Sequence, residues 1–279
     1  MNTCKKTVLC VLAVLLSCLL MSFTCAASEN IGDPANLYLN NTVIDGAFLL
    51  NDTTYASFRA LVTAIDPEAQ FIWDASSNSA KSYGTGVEIS AVVGQNYISA
   101  NGRILYNDRA ANVNVKGSLY VPVTSIAKAY SLKCTWNGKT TSANISGTPA
   151  PILSGALYYD EDSLYWLSRI ISAESRGEPF RGQIAVGNVV IERVGDGSFP
   201  DTVYEVIFDR KYGTQFSPAY SGTIYKNPAD SSVLAAKIAL EGTQVVDALY
   251  FCPVKGAKGS WMDRNRTYID TIGNHVFYW

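Results

Sequence analysis

The apolar positions between residues 164 and 179 recur at the spacing of an α-helix. Leu164, Leu167, Ile170 and Ile171 lie three or four residues apart, and Glu174 occupies the next position of the same stripe. The pattern therefore predicts a helix with one buried face that holds Glu174 away from bulk water. Because burial disfavours the carboxylate anion, we expect a raised pKa, as a proton donor near neutral pH requires.

An ordinary structural role is the alternative for this carboxyl group. Glutamates near helix ends are commonly solvated or paired with an arginine, and Arg169, Arg176 and Arg181 are all close in sequence. A perturbed carboxylate marks a functional site only as a tendency. Periodicity alone therefore leaves both roles open.

Three further helices and a β-element are predicted after this stretch. Apolar spacing and capping residues place the helices at residues 182–194, 200–208 and 231–241, with Asp201 or Thr202 as the cap of the second. Residues 248–253 and 275–279 are rich in strand-forming side chains. We expect a mainly helical C-terminal domain crossed by a small β-element.

The N-terminal half contains an internal repeat. Residues 55–74 and 120–137 each predict a strand, a helix of about three turns and a second strand, which ends in Trp73-Asp74 or Trp136-Asn137. Between the copies, residues 87–94 and 98–106 alternate polar and apolar positions around glycine-containing turns, a hairpin pattern. The fold class expected for the chain is α+β.

The predicted organisation has five segments. Residues 1–27 have the features of a secretory signal peptide, with Lys5 and Lys6 before an apolar run and small residues at its end. The run is short for a membrane span of ~20 apolar residues, so an uncleaved N-terminal anchor is the lesser alternative. The other segments are a lead-in tail at 28–47, the repeat domain at 48–147, a Pro/Gly/Ser linker at 148–158 and the C-terminal domain at 159–279.

Charge and composition exclude several classes of partner and chemistry. The 279 residues include 22 Lys and Arg against 24 Asp and Glu, without a basic cluster once the leader is removed. We therefore expect no nucleic-acid partner and no membrane insertion after signal cleavage. A catalytic zinc site needs three protein ligands, usually several histidines, and the chain has only His275. Neither a metal nor another cofactor is expected.

Two cysteines remain after the leader, Cys134 and Cys252. They are far apart in sequence and in separate predicted domains, so no disulfide framework is expected and both should be reduced. A Cys/His peptidase using Cys252 and His275 is a minor alternative. Cys252 lies in a β-prone run, which lacks the helix N-terminus that lowers a thiol pKa.

Six blocks in the C-terminal part together resemble a known family. They include Ala-Glu-Ser-Arg-Gly-Glu at 173–178, Phe-Pro-Asp-Thr-Val at 199–203, Gln-Phe-Ser-Pro at 215–218 and Ile-Gly-Asn-His-Val-Phe-Tyr at 272–278. In this order they closely resemble the SleB/CwlJ-type cell-wall hydrolases, the spore cortex-lytic enzymes. The resemblance implies a lysozyme-like or lytic-transglycosylase-like domain that acts on peptidoglycan glycan strands, with Glu174 as the catalytic acid. Ser175 stands where the family usually has alanine.

The resemblance also implies a site. A lytic transglycosylase cleaving the bond between N-acetylmuramic acid and N-acetylglucosamine needs one carboxyl group, whereas ordinary glycoside hydrolysis uses two. A hydrolytic muramidase or glucosaminidase, or a non-catalytic wall-binding protein, are the alternatives. The protein is expected to be secreted to the cell wall or spore envelope. The expected substrate-binding residues are Glu178, Gln215, Phe216, Ser217, Tyr250, His275 and Tyr278. A place in the core is the alternative for the aromatic residues, and a structural role is the alternative for Glu178 and His275.

The repeat resembles a second family. The marker is Tyr-Val-Pro-Val at residues 120–123, followed by a helix and Trp136-Asn137. It is similar to the small α+β domain first described at the N-terminus of copper amine oxidases, which implies a substrate-binding or spacing module. No copper site follows, because the repeat contains no histidine to supply nitrogen ligands.

Overall fold

The computed structural model describes residues 31–211 and 213–279. The predicted signal peptide at residues 1–27 lies outside the described residues. Within the described part, no helix combines the length and hydropathy that crossing a membrane requires. The described chain contains seventeen β-strands and nine α-helices, which confirms the predicted α+β class.

The N-terminal half holds fourteen strands in three sheets. The strands are β1 (Asp33–Pro34), β2 (Asn36–Leu39), β3 (Thr42–Ile44), β4 (Phe48–Leu50), β5 (Thr53–Ser57), β6 (Gln70–Asp74), β7 (Ser79–Tyr83), β8 (Glu88–Val92), β9 (Tyr97–Ala100), β10 (Arg103–Tyr106), β11 (Val113–Val115), β12 (Ser118–Pro122), β13 (Lys133–Asn137) and β14 (Ser142–Ser146). The two helices are α1 (Phe58–Ile65) and α2 (Val123–Ala129). The first sheet has the order β1-β4-β5-β12-β11, the second β10-β9-β8-β7-β6 and the third β13-β14-β2-β3.

The predicted repeat is confirmed. Each copy runs strand, helix, hairpin: β5, α1, β6 and β7 in the first, and β12, α2, β13 and β14 in the second. The copies meet where β12 pairs antiparallel with β5, Val121 opposite Ala56. Leu61 and Ile126, one from each helix, are both fully buried against this junction in a single core. Burial of these apolar side chains holds the two copies together.

Residues 28–47 were predicted as a lead-in tail, and this is wrong from Asp33 onward. β2 runs parallel to β14, with Leu37 opposite Ala143, and Leu37 is 0% exposed. β2 and β3 are joined by Asn40 and Asn41, both with positive φ, as a tight hairpin turn requires. The strands are too short to show a clear alternation. Their partner is about a hundred residues away, so no local signal marks the pairing.

The predicted linker at 148–158 is also more ordered than its composition indicates. Ile152 is 6% exposed and packs in the N-terminal core, and Gly155 begins a short helix, α3 (Gly155–Tyr158). The backbone N–H of Gly155 donates to the carbonyl of Asn101 over 2.8 Å. Proline- and glycine-rich composition fits both a free linker and a segment that is hydrogen-bonded to the folded domain. The tertiary contacts show that this segment is held against the N-terminal domain.

The C-terminal half is a helical core with a three-stranded sheet. The predicted helices form, with Thr202 as the cap whose side chain accepts from Glu205 N. The predicted β-element forms as well, and a third strand, β16, joins it in the order β15-β17-β16. The elements are α4 (Glu161–Ser175), α5 (Phe180–Gly195), α6 (Val203–Phe208), α7 (Pro218–Ser221), α8 (Asp230–Leu240), α9 (Trp261–Asn265), β15 (Tyr250–Pro253), β16 (Tyr268–Ile272) and β17 (His275–Tyr278), with a 3₁₀ turn at Thr223–Tyr225.

A buried ion-pair network joins the two halves. Glu241, whose side chain is 0% exposed, accepts hydrogen bonds from Arg103 Nε and Nη2, each at 2.7 Å, and from the Tyr159 hydroxyl at 2.9 Å. Lys128 Nζ lies 3.2 Å from the same carboxylate. Burial alone would raise the pKa of Glu241, but these donors bring it below its ordinary value. Asp33–Trp279 accordingly forms one compact unit.

Candidate active site

Helix α4 delivers Glu174 to a cavity from its last turn. Asp160 caps the N-terminus of the helix, and its carboxylate accepts from Ser163 N at 2.8 Å. Its inner face carries Leu167, Ile170 and Ile171, all 0% exposed. Glu174 continues this face and is half-buried. Desolvation by burial raises the pKa of its carboxyl group to about 7.

None of the three nearby arginines forms an ion pair with Glu174. Arg181 instead contacts Asp108 and Asp270, at 3.1 and 3.3 Å. Arg169 stacks over the ring of Tyr165, 3.9 Å from its centroid. Because no cation lies within ion-pair distance among the described residues, nothing offsets the burial of this carboxyl group.

The cavity beside Glu174 has a volume of about 1110 Å³. Its walls come from α4, the end of α5, the loop before α7, strand β15, the segment around α9 and the C-terminal residue. Glu174 is the one side chain with a carboxyl group in this lining, counted over residues 31–211 and 213–279. The rest of the lining is Arg193, Ser198, Phe199, Thr214, Gln215, Ser217, Leu249, Tyr250, Phe251, Cys252, Pro253, Trp261, Met262, Arg266 and Trp279.

Four residues expected at the site line the cavity: Glu174, Gln215, Ser217 and Tyr250. Gln215 and Ser217 precede α7 and offer an amide and a hydroxyl. Tyr250 begins β15 and supplies an aromatic ring with a hydroxyl. A cavity with one half-buried side-chain carboxyl group, amide and hydroxyl groups and flat rings suits a polar polymer of ring-shaped units.

Three expected residues belong to the core instead. Phe216 is 1% exposed and packs among the helices, although both of its sequence neighbours line the cavity. His275 is 7% exposed behind Phe251, with the two ring centroids 5.1 Å apart. Tyr278 is 2% exposed and packs on Val276 in a separate small cluster. Their side chains were assigned to the site because of their motif, but strand alternation and local packing direct them elsewhere.

Glu178 does not line the cavity either. Its carboxylate accepts from the backbone N of Asn274 at 2.7 Å and from the side-chain amide at 3.2 Å. The backbone hydrogen bond is the main cause of a lowered pKa for Glu178. Gly273 has φ +58°, and a Cβ there would clash with this carboxylate. Glu178 therefore ties the β16–β17 turn to the start of α5.

Arg193 is a cavity residue that the sequence analysis missed. It is 4% exposed; its Nε donates to the Leu249 carbonyl at 2.7 Å and its Nη1 to Gln215 Oε1 at 3.3 Å. Burial lowers its pKa to about 10, so the side chain stays charged near neutrality. Val186 and Val190 precede it at helical spacing. Arg193 is thus a charged residue that continues a buried apolar stripe, the same pattern that indicated Glu174.

The segment between β15 and β16 supplies further side chains without a sequence signal. The Arg266 guanidinium lies 4.4 Å from the Tyr250 ring centroid and 5.0 Å from that of Trp261, and its Nη2 donates to the Tyr250 hydroxyl at 3.0 Å. Trp279 lines the cavity from the chain end. Cation–π contacts with the two rings orient the arginine on this wall of the cavity.

Cys252 and His275 cannot act together as a nucleophile and base. Val276 is the residue opposite Cys252 in the sheet, and His275 is opposite Pro253, so the two side chains lie on different faces. Burial raises the pKa of the Cys252 thiol, contrary to what a nucleophilic thiolate needs. Both Cys252 and Cys134 are free thiols. Over the described ranges, no group of three His, Cys, Asp or Glu side chains could hold a metal ion.

Two family models match the chain. The Cell Wall Hydrolase model covers residues 177–278, and the Copper amine oxidase N-terminal domain model covers residues 38–145. Residues 177–278 are a cell wall hydrolase domain. Glu174 lies just before that match, so its role is a matter of proposal. The second match starts inside the segment predicted as a tail, in agreement with strands β2 and β3.

Curated relatives of the chain are described as spore cortex-lytic enzymes. A spore cortex-lytic enzyme of Bacillus cereus is 34% identical over 120 residues, which is 43% of this chain and 45% of the relative. The Bacillus subtilis enzyme of that name is 30% identical over 120 residues, 43% and 38% of the two chains. The chain thus spans less than half the length of these curated relatives.

Two solved structures are also similar to the cell wall hydrolase domain. The catalytic domain of the germination-specific lytic transglycosylase SleB from Bacillus anthracis is 32% identical. The match covers 46% of this chain and 100% of that one, with a TM-score of 0.39. The catalytic domain of the Bacillus cereus SleB protein is 33% identical, with 43% and 92% covered and a TM-score of 0.39.

Proposed function

We propose that the protein cleaves peptidoglycan glycan strands as a lytic transglycosylase, with Glu174 as its acid and then its base. The observation that carries this proposal is the single side-chain carboxyl group in the described lining of the cavity, with a pKa raised to about 7 by burial. Such a group is protonated in a useful fraction near neutral pH and is also a competent base once ionised. We infer peptidoglycan as the substrate from the names of the similar proteins.

One carboxyl group is enough when the substrate provides its own nucleophile. Glu174 donates its proton to the oxygen that joins C1 of N-acetylmuramic acid to C4 of N-acetylglucosamine, and the C1–O bond breaks. The C6 hydroxyl of the muramic acid forms a bond to C1 and passes its proton to the Glu174 carboxylate. The products are a 1,6-anhydromuramic end and a free C4 hydroxyl, and Glu174 is protonated again without consumption of water.

The other lining groups bind and orient the sugars. Gln215 and Ser217 offer hydrogen bonds to acetamido and hydroxyl groups, and the Tyr250 ring offers a flat face for a pyranose. Arg193 donates hydrogen bonds to the Gln215 amide oxygen and to the Leu249 carbonyl. It therefore positions the Gln215 side chain relative to the start of strand β15. We therefore place Glu178, Phe216, His275 and Tyr278 in supporting structural roles.

Hydrolysis of the same bond is the second candidate function. It requires a group that activates water, usually a second carboxylate within about 5–10 Å of the acid. Apart from Glu174, no side chain in the described lining of the cavity carries a carboxylate, which favours the intramolecular reaction. We also propose that residues 1–27 are a signal peptide and that the protein is secreted to a spore or cell envelope, where peptidoglycan is located.

Analysis of the reaction products distinguishes transglycosylation from hydrolysis and tests the role of Glu174. Purified protein is incubated with peptidoglycan, and the released muropeptides are separated and weighed by mass spectrometry. We expect 1,6-anhydromuramic ends; reducing ends instead would establish hydrolysis. Glu174→Gln should abolish release while the folded state persists, and Glu178→Gln is the matched control from the same motif, with activity within about threefold of wild type. Retained turnover in Glu174→Gln would refute the mechanism, whereas a wild-type protein that releases nothing would leave a wall-binding role.

A further inference from the structure

A second concave site lies in the N-terminal domain and shares no lining residue with the Glu174 cavity. Its volume is about 190 Å³. It is formed where the first turn of α1, the edge strand β6 and the β11–β12 turn come together. We call it the Trp73 groove, after the tryptophan in its wall. Nothing in the proposed reaction uses it.

The Trp73 groove combines flat aromatic surface with polar groups. Phe58 and Phe71 form its base, edge to face with centroids 5.9 Å apart, and Trp73 is 45% exposed beside them. The Arg59 guanidinium lies 4.5 Å above the Phe71 ring, and Ser118 contributes an exposed hydroxyl. An exposed ring bordered by hydrogen-bonding groups, with no acidic side chain in the described lining, suits an uncharged sugar ring.

The internal repeat provides a comparison within the same chain. Trp136 occupies the position of Trp73 in the second copy and is 47% exposed, so both copies present an indole to solvent. The positions of Phe58, Arg59 and Phe71, however, are taken in the second copy by Val123, Thr124 and Cys134. The aromatic base and the cation are therefore present in the first copy alone. An exposed tryptophan is common to both copies of the domain, whereas the groove is particular to one.

We propose that the Trp73 groove binds an N-acetylated sugar unit of the peptidoglycan glycan strand, with one face of the pyranose against the indole. This inference rests on the proposed function, which identifies the polymer as peptidoglycan. A second contact on an insoluble strand raises the effective concentration of scissile bonds at the Glu174 cavity. The Arg103–Glu241 network supports this, because it joins the domain that carries the groove to the domain that carries the cavity.

The test uses the full chain with Glu174→Gln, so that binding is measured without cleavage. Co-sedimentation with purified peptidoglycan sacculi gives a half-saturation concentration for Trp73→Ala and for the matched control Trp136→Ala. We expect Trp73→Ala to raise it at least about fivefold and Trp136→Ala to change it less than about twofold, since a tryptophan that anchors a contact is costly to truncate. A tetramer of N-acetylglucosamine should compete with the sacculi for the parent protein.

A groove-filling change gives an independent measurement. Ser118→Tyr adds a ring at the β11–β12 turn and should weaken sacculus binding as Trp73→Ala does, with an unchanged thermal unfolding midpoint. Equal effects of Trp73→Ala and Trp136→Ala, or none from either, would overturn the proposal. So would loss of binding by Trp73→Ala without competition by the sugar tetramer, because that result assigns the groove to the stem peptide.

Cleavage measurements separate this proposal from the proposed function. With Glu174 intact, Trp73→Ala should slow release from sacculi and leave the chemical nature of the released ends unchanged. If the wild-type protein releases nothing, the proposed function fails, while the sedimentation result still decides the role of the groove.

Discussion

Replacement of Glu174 by glutamine should stabilise the protein in a manner that depends on pH. The folded state holds this carboxyl group at a pKa of about 7, against 4.5 for the ordinary value. Between these two pH values the folded chain keeps a proton that the unfolded chain releases, so the free energy of unfolding falls as the pH rises. At 1.36 kcal/mol per pKa unit, the buried carboxyl costs about 3 kcal/mol above pH 7 and nothing below pH 4.5.

Glutamine has nearly the same shape and no charge, so Glu174→Gln removes that cost. Urea unfolding followed by tryptophan fluorescence at pH 4 and pH 8 gives the free energy of unfolding for both proteins. We expect the free energy of unfolding of the variant, relative to that of wild type, to increase by up to about 3 kcal/mol from pH 4 to pH 8. Solvent screening of the half-buried group reduces this difference. Glu178→Gln serves as the control, because its lowered pKa predicts the opposite trend. A difference between wild type and Glu174→Gln that does not change with pH would refute the burial argument.

Two further changes test the packing around the site and between the domains. Arg103→Met removes both hydrogen bonds to buried Glu241 and should lower the free energy of unfolding by about 2–4 kcal/mol, measured by urea titration; a loss below about 0.5 kcal/mol would show that Lys128 replaces it. Arg193→Lys keeps the charge but loses the planar fork that reaches Leu249 and Gln215 together, so we expect at least about a tenfold lower rate of muropeptide release in intact, folded protein. Unchanged kinetics would remove Arg193 from the positioning of the site.

The helices and the repeat were predictable because their signals are local. A period of three and four residues over α4 and α5 places apolar side chains on one face, whatever that face packs against. The same reasoning predicted that Glu174 is withheld from water. The two copies of the repeat were recognised because strand, helix and tryptophan recur in order. By contrast, β2 was missed because its ladder partner, β14, is about a hundred residues away in sequence.

Motif membership was a poorer guide to the site than geometry. In the Gln-Phe-Ser block, Gln215 and Ser217 line the cavity, and Phe216 between them is 1% exposed in the core. In β17, His275 and Tyr278 are directed to opposite faces by strand alternation, and neither reaches the cavity. A one-residue step changes the direction of a side chain completely. Recognition of the motif cannot supply that direction.

The sequence by itself determined the α+β class, the duplicated N-terminal module, the amphipathic helices and the burial of Glu174, because each depends on contacts or periods within a few turns of chain. The tertiary structure alone decided which carboxyl group stands in the cavity, that Arg193 and Arg266 stand beside it, and that Arg103 meets Glu241 across the two halves. Those arrangements join residues far apart in sequence. They depend on how faces pack, and packing is a property of the whole folded chain.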